Sequence, residues 1–320
     1  MKTVALAMTD RDQGTDETAA ISAFVRGYSI EATRPTADDI AALADIVPAG
    51  TSIYVSAVPG QRADEMVEHA ARLRKRGFEP VPHLAVRAFA TAGEIDRLLG
   101  RLSAEAGVQQ VLVIAGDRDP PAGSLRGALD VIDSGLLQRH GIREAGIAGY
   151  PEGHPRIPGH ELDRALADKI AVAESTGLRL HIVTQFCFDA EAIIGWIRRL
   201  RAFGFDTPVR IGLAGPTSLS TLVRYASRCG VSASVQGLAR HAGLMRQLFA
   251  MSAPDAIVRR LAAERERAKH EHAKHEHLGD VKAHFFSFGG VVRTARWASA
   301  AELGHIVIEA GEGFRVEPAG

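Results

Sequence analysis

Short apolar runs, rich in β-branched residues, recur along the chain at near-regular intervals. They fall at Gly27–Ala32, Ser52–Val58, Pro80–Val86, Gln110–Ala115, Ala145–Tyr150, Leu178–Phe186, Val209–Ala214 and Ala283–Phe288. Each is about four to nine residues long and nearly continuous in its apolar character, as a strand buried on both faces should be. Longer stretches between them carry a helical period. In Arg62–Arg76, Met66, Val67, Ala70, Ala71 and Leu73 fall on one side and the charges on the other; Leu162–Ser175 and Ala190–Phe203 behave alike. Strands alternating with helices in this way predict an α/β fold, a single-domain (β/α)₈ TIM-type barrel, with an open doubly wound sheet as runner-up. Residues 1–24 read as an extension ahead of the first strand, and 254–280 as a charged, His-rich helical segment before the eighth.

Composition narrows the function. The chain has 320 residues, 46% of them hydrophobic, which supports one large core. Its 38 basic side chains balance 38 acidic ones, so no long basic surface for nucleic acid is expected. Cys187 and Cys229 are the only cysteines, too few for a disulfide framework and in keeping with a reducing cytoplasm. The apolar run Met1–Met8 is too short for a signal-peptide core. No window approaches the roughly 20 apolar residues of a membrane helix. The expectation is a soluble cytoplasmic protein with small-molecule partners, no nucleic acid and no membrane. Oligomeric state is left open, a homo-oligomer being one option.

A barrel concentrates chemistry at the C-terminal ends of its strands. Glu31 stands in an otherwise apolar first strand, where a carboxylate is costly unless paired or used. It reads either as an outward residue between helices or as a general acid with a raised pKa. His83, between Pro82 and Leu84, reads by itself as a satisfied core histidine. Gly116-Asp117 after strand four suits a rim where backbone meets a flat ligand, or a plain Asp/Pro turn. Tyr150 and His154 sit in Gly149-Tyr150-Pro151-Glu152-Gly153-His154-Pro155, a rigid loop offering stacking and hydrogen bonding together. Gln185 can donate to and accept from an amide-like heterocycle edge. Phe186 and Phe188 either flank a planar ring or pack in the core. Cys187 has no positive neighbour in sequence and reads as packing.

Other classes fare worse. A barrel lyase or aldolase would show a Schiff-base lysine or a carboxylate metal cluster at strand ends, and neither is visible. A binding protein without turnover has no need of both Glu31 and Asp117. The repeat Lys269–His277 reads as a solvated helix end. No metal site is expected from it, since one helical face offers at most about two or three ligands.

Taken in order, these motifs resemble the methylenetetrahydrofolate reductase family. Gly149–Pro155 and Thr184-Gln185-Phe186-Cys187-Phe188-Asp189 carry the likeness. Pro82-His83-Leu84, Gly116-Asp117 and Val281-Lys282-Ala283-His284-Phe285-Phe286 support it, over about residues 27 to 300. The resemblance implies a barrel with FAD at its mouth. Hydride then passes from NAD(P)H through the flavin to 5,10-methylenetetrahydrofolate, in one-carbon metabolism and methionine biosynthesis. It implies Glu31 as the acid, Asp117 as the carboxylate between flavin and folate, and Gln185, with Phe186, on the pterin. It also implies Gly116, Asp117, His83, Tyr150, His154 and Lys169 as FAD contacts. Of the flavin positions, a hydroxyl residue is replaced by Val58 and an arginine by Ala115. An aspartate is replaced by Leu162, with Asp163 one place away, and an arginine after strand eight by Gly290, with Arg293 nearby. These departures raise an alternative of the same fold, direct hydride transfer from NADH without flavin. No Gly-rich dinucleotide fingerprint is present. The choice between NADH and NADPH is not visible, and NADH is the expected donor because the chain is of the short, bacterial-like form.

Overall fold

Eight parallel strands close into a barrel in the computed structural model, which describes residues 10–229, 251–270 and 277–317. They are β1 (Ser29–Ala32), β2 (Ser52–Val55), β3 (Glu79–Ala85), β4 (Gln110–Ile114), β5 (Glu144–Gly149), β6 (Arg179–Thr184), β7 (Val209–Ala214) and β8 (Val281–Phe286). Ring neighbours are consecutive in sequence, and β8 returns to β1 through Ser29↔His284, Ile30↔Phe285 and Glu31↔Phe286. That closure excludes the open sheet.

The helices form where the apolar period predicts them. Helix Ala63–Lys75 buries Met66, Val67, Ala70 and Leu73. Helix Ala190–Ala202 starts where Asp189 accepts from the Glu191 and Ala192 amides, a side-chain N-cap. Strand two ends earlier than its apolar run, at Val55 rather than Val58. Pro59 has no N–H for a ladder and pushes its predecessor out of register, so residues 56–58 become the β2 exit loop.

Two segments differ from expectation. The residues before β1 are more than an extension: Asp10–Val25 is a helix, packed on helices Asp255–His270 and Val291–Glu302. Among its described side chains, Ile21, Phe24 and Val25 in the last turns are buried, and the polar stretch before them hides the period. After the last helix, Ile306–Ile308 and Phe314–Val316 form an antiparallel pair, with Phe314 stacked on Trp297 at 5.6 Å. Within helix Asp255–His270, Glu264 is buried against Arg198, Arg260 and Arg267. The core of the His repeat, residues 271–276, lies outside the described residues. No helix among them is long and apolar enough to cross a membrane.

The core has two parts. A large apolar layer lies between sheet and helices, and a small cluster of Tyr54, Val81, Leu112 and Val183 fills the barrel axis. The axis is otherwise polar. Tyr54 Oη lies 2.7 Å from His181 Nε2, and Glu144 Oε1 lies 2.7 Å from His181 Nδ1. Gly146 makes room for this arrangement: a Cβ there would stand 2.7 Å from His181 Nε2.

Burial pushes the His181 and His83 imidazoles below their ordinary value of 6.5, more strongly than nearby carboxylates pull them up. As pH falls below about 6.5 the unfolded chain therefore binds protons that the folded chain refuses, and stability is lost in that window. Urea unfolding at about pH 7.5 and about pH 5.5 should give a lower unfolding free energy at the acid value. A flat or opposite trend would show that these imidazoles are not held neutral.

Candidate active site

β1 alternates. Ile30 and Ala32 face the helix layer and are fully buried, which turns Ser29 and Glu31 toward the axis. The Glu31 side chain is only 14% exposed. Ser56, on the β2 exit loop, donates to Glu31 Oε1 at 2.6 Å, and its Oγ lies 2.9 Å from Thr33 Oγ1. Two imidazoles approach the other carboxylate oxygen. His83 Nε2 is 3.8 Å and His284 Nε2 3.7 Å from Oε2. Both nitrogens are buried without a hydrogen-bond partner among the described residues. His284 is oriented from behind, its Nδ1 2.9 Å from Ser29 Oγ. The Ser287 hydroxyl donates to the Glu31 carbonyl at 2.5 Å, tying the β8 exit to β1.

This setting reverses one expectation. Burial raises the Glu31 pKa, as a lone carboxylate in an apolar strand would lead one to expect. The His83 charge, the His284 contact and the Ser56 hydroxyl together outweigh it, so the carboxyl lies below its ordinary value. A carboxylate with two imidazoles and a hydroxyl can hold a proton jointly and release it to a bound base.

Asp117, Tyr150 and His154 form a second group on the β4 and β5 loops. Tyr150 and His154 meet edge to face at 5.2 Å. Burial and then the Asp117 charge raise the Tyr150 hydroxyl; burial and Arg156 lower His154 against the pull of Asp117. Asp117 itself is exposed, and Gly116 before it has φ +82 with Ala85 Cβ 3.0 Å from where a Cβ would stand. Glycine is required there on both counts.

Directly after β6, Gln185 Oε1 accepts from the Phe186 amide at 3.0 Å, which fixes its side chain and leaves Nε2 without a partner among the described residues. Phe186 is 1% exposed and packs against Phe188, Phe286 and Phe288, so it supports an aromatic floor of which Phe288 stacks on Tyr225 at 4.3 Å. Cys187 is buried with its thiol pushed up by burial, as a packing residue should be. Lys169 lies half-buried on helix Gly159–Thr176 and Asp163 is exposed on the same helix.

The structure therefore joins Glu31 to His83, and Asp117 to Tyr150 and His154. It adds Ser29, Tyr54, Ser56, His181 and His284, which the motif reading did not assign. Their signal was alternation: each faces the axis from a strand or strand exit whose other residues face the helices. Among the described residues no group of three or more His, Cys, Asp or Glu is arranged to hold a metal ion. A cavity of about 470 Å³, lined by Arg26, Glu144, Arg210 and Lys282, opens at the N-terminal end instead, the face that barrel enzymes do not use for chemistry.

The model of the family described as methylenetetrahydrofolate reductase matches residues 30–281. The chain belongs to the methylenetetrahydrofolate reductase family. It is 31% identical over 128 residues to methylenetetrahydrofolate reductase 2 of Saccharomyces cerevisiae, covering 38% of this chain and 21% of that one. It is 32% identical over 87 residues to methylenetetrahydrofolate reductase 1 of Schizosaccharomyces pombe, covering 27% and 14%. The chain thus matches about a fifth or less of either relative. A dihydropteroate synthase (FolP) from Thermus thermophilus overlays with a TM-score of 0.44 at 15% identity, covering 85% of this chain and 90% of that one. In this family barrel, Glu31, Asp117 and Gln185 all lie at or just beyond the C-terminal ends of their strands.

The flavin associated with the reductase family finds matching groups here. Lys169 is half-buried with no ion pair among the described residues, its ammonium lowered by burial, and a flexible cation of this kind suits a phosphate group. The bare Gly116 backbone and the Tyr150–His154 pair offer a surface for a flat ring.

Proposed function

We propose that the chain reduces 5,10-methylenetetrahydrofolate to 5-methyltetrahydrofolate by hydride transfer from NAD(P)H, with NADH as the first candidate donor. The observation that carries this reading is the Glu31 carboxyl, hydrogen-bonded to Ser56 and flanked by His83 and His284 at the mouth of a reductase-family barrel. A buried carboxylate flanked by two imidazoles at the strand ends is the kind of cluster that active sites are built from.

Each residue then has a task. Glu31, held in place by Ser56, gives a proton to the folate nitrogen that leaves the methylene bridge. The five-membered ring opens to an iminium carbon ready for hydride. Gln185, already fixed through Oε1, offers Nε2 to the pterin. Asp117 sits beside the reacting groups as a charge that favours positive character on the folate. Lys169, Tyr150, His154, Asp163 and the Gly116 backbone would hold FAD, which supplies a hydride carrier between donor and folate. The reactants are small molecules, and the low cysteine content supports a cytoplasmic setting.

A second reading, direct transfer from NADH to the folate, is favoured by one observation. Val58 and Ala115 occupy flavin positions with apolar side chains, and His83 is engaged at Glu31. Purified protein assayed with NADH and methylenetetrahydrofolate tests both. A yellow flavin spectrum with folate-dependent NADH oxidation supports the first, and loss of the colour in Lys169→Ala would tie the flavin to this site. Colourless protein with the same activity selects the second. No folate-dependent oxidation with either donor would reject the function.

A further inference from the structure

The loop after β6 carries Gln185 and the aromatic pair Phe186 and Phe188, and its backbone amides have an unusual set of partners. Gln185 N donates to Gly149 O at 2.8 Å, Phe186 N to the Gln185 side chain, and Cys187 N to Gly212 O at 3.0 Å. The next two amides have no strand to bond. Phe188 N and Asp189 N both donate to one atom, Glu152 Oε1, at 2.7 and 2.8 Å. Glu152 reaches them from the β5 loop, 36 and 37 residues earlier in sequence. Its own place is set by a tight turn in which Gly153 N donates to Tyr150 O at 3.0 Å and Gly153 takes φ +82. One half-buried carboxylate thus joins, through a single oxygen, the loop bearing Tyr150 and His154 to the loop bearing Gln185. A carboxylate accepting backbone N–H groups makes the stronger class of hydrogen bond. Asp189, the second residue held, is also the N-cap of the following helix, so the clasp anchors the loop at its C-terminal end.

We propose that Glu152 is a positioning residue for folate: its Oε1 sets the register of the β6 loop and thereby the placement of Gln185 Nε2 against the pterin. This rests on the reading of the mouth as a folate site. It goes beyond that reading by assigning folate affinity to a side chain that does not touch the substrate. Without the carboxylate, the amides of 188 and 189 lose their acceptor. The loop then moves to find water, carrying Gln185 with it, while the Glu31 cluster on β1, β2, β3 and β8 stays in place.

Glu152→Ala and Glu152→Gln test this in the full chain, by steady-state kinetics and by NADH binding followed through its fluorescence. Glu152→Ala should raise KM for methylenetetrahydrofolate by about tenfold or more, with kcat less affected and NADH affinity within about twofold. Glu152→Gln keeps an oxygen at the same position and should recover most of the loss, which a bulk folding defect would not. An unchanged folate KM in Glu152→Ala overturns the proposal. So does a parallel loss of folate and NADH affinity that glutamine fails to restore. If Glu152→Ala does not accumulate as folded protein, Glu152→Asp, whose shorter side chain draws the oxygen back from the two amides, decides: a folate KM raised a few-fold without a change in NADH affinity supports the role, and no shift rejects it. Wild-type protein without folate reduction would instead remove the underlying function and the proposal with it.

Discussion

Glu31→Gln should lower folate reduction by about a hundred- to ten-thousand-fold, the usual contribution of a positioned general acid. The substitution is nearly isosteric. Its amide oxygen can still accept from Ser56, which donates to the carboxylate at 2.6 Å, so the mouth keeps its shape. What disappears is the ionisable carboxyl beside His83 and His284, and with it the oxygen that carries the proton. NADH binding should change little, because the donor does not need that proton. The loss belongs in kcat and kcat/KM together, the mark of an interaction made in the transition state. Turnover within a few-fold of wild type would show that Glu31 is not the acid. A pH profile keeping its alkaline-side limb in the variant would point to another proton source.

The second large effect is expected from a residue with no side chain. Gly212 lies in β7 opposite His284 of β8. A Cβ there would stand 2.4 Å from Thr184 O and 2.9 Å from Gln185 O, both backbone atoms that cannot swing aside, and 2.8 Å from the Phe286 ring. The Gly212 amide is also tied to β6, donating to the Thr184 hydroxyl at 2.8 Å. Gly212→Ala must therefore push β6 and β7 apart at their C-terminal ends, at a cost of about 1–3 kcal/mol of stability. Since Gln185 rides on the displaced strand end, folate KM should rise as well. Equal urea midpoints for variant and wild type, with an unchanged KM, would show that the mouth is looser than this packing requires.

Much of the architecture is legible in the sequence because it depends on local pattern. Apolar runs such as Val209–Ala214 can only be strands buried on both faces, and the amphipathic Arg62–Arg76 can only cover them. Motifs placed at strand ends then mark Glu31, Asp117, Tyr150, His154 and Gln185 as rim residues. The helix Asp10–Val25 escaped that reading because Ile21, Phe24 and Val25, its buried residues among the described side chains, follow a polar stretch with no apolar period. The Phe314 pairing escaped it because two three-residue strands carry almost no period.

What no local pattern holds is which side chains meet. His83 reads alone as a core histidine, and His284 and Ser56 as incidental residues of their strands. Barrel closure brings β8 back beside β1 and sets all three around one carboxylate from residues as far apart as 31 and 284. That meeting also decides the sign of the Glu31 shift: its strand alone implies a carboxyl raised by burial, and the imidazoles arriving from β3 and β8 turn it downward. By itself the sequence determined the strand and helix periods, and with them the barrel, since these follow from side-chain alternation within a few residues. Only the tertiary structure decided the cluster around Glu31 and the Glu152 clasp, since hydrogen bonds and charges act between atoms a few ångströms apart in space, whatever their distance along the chain.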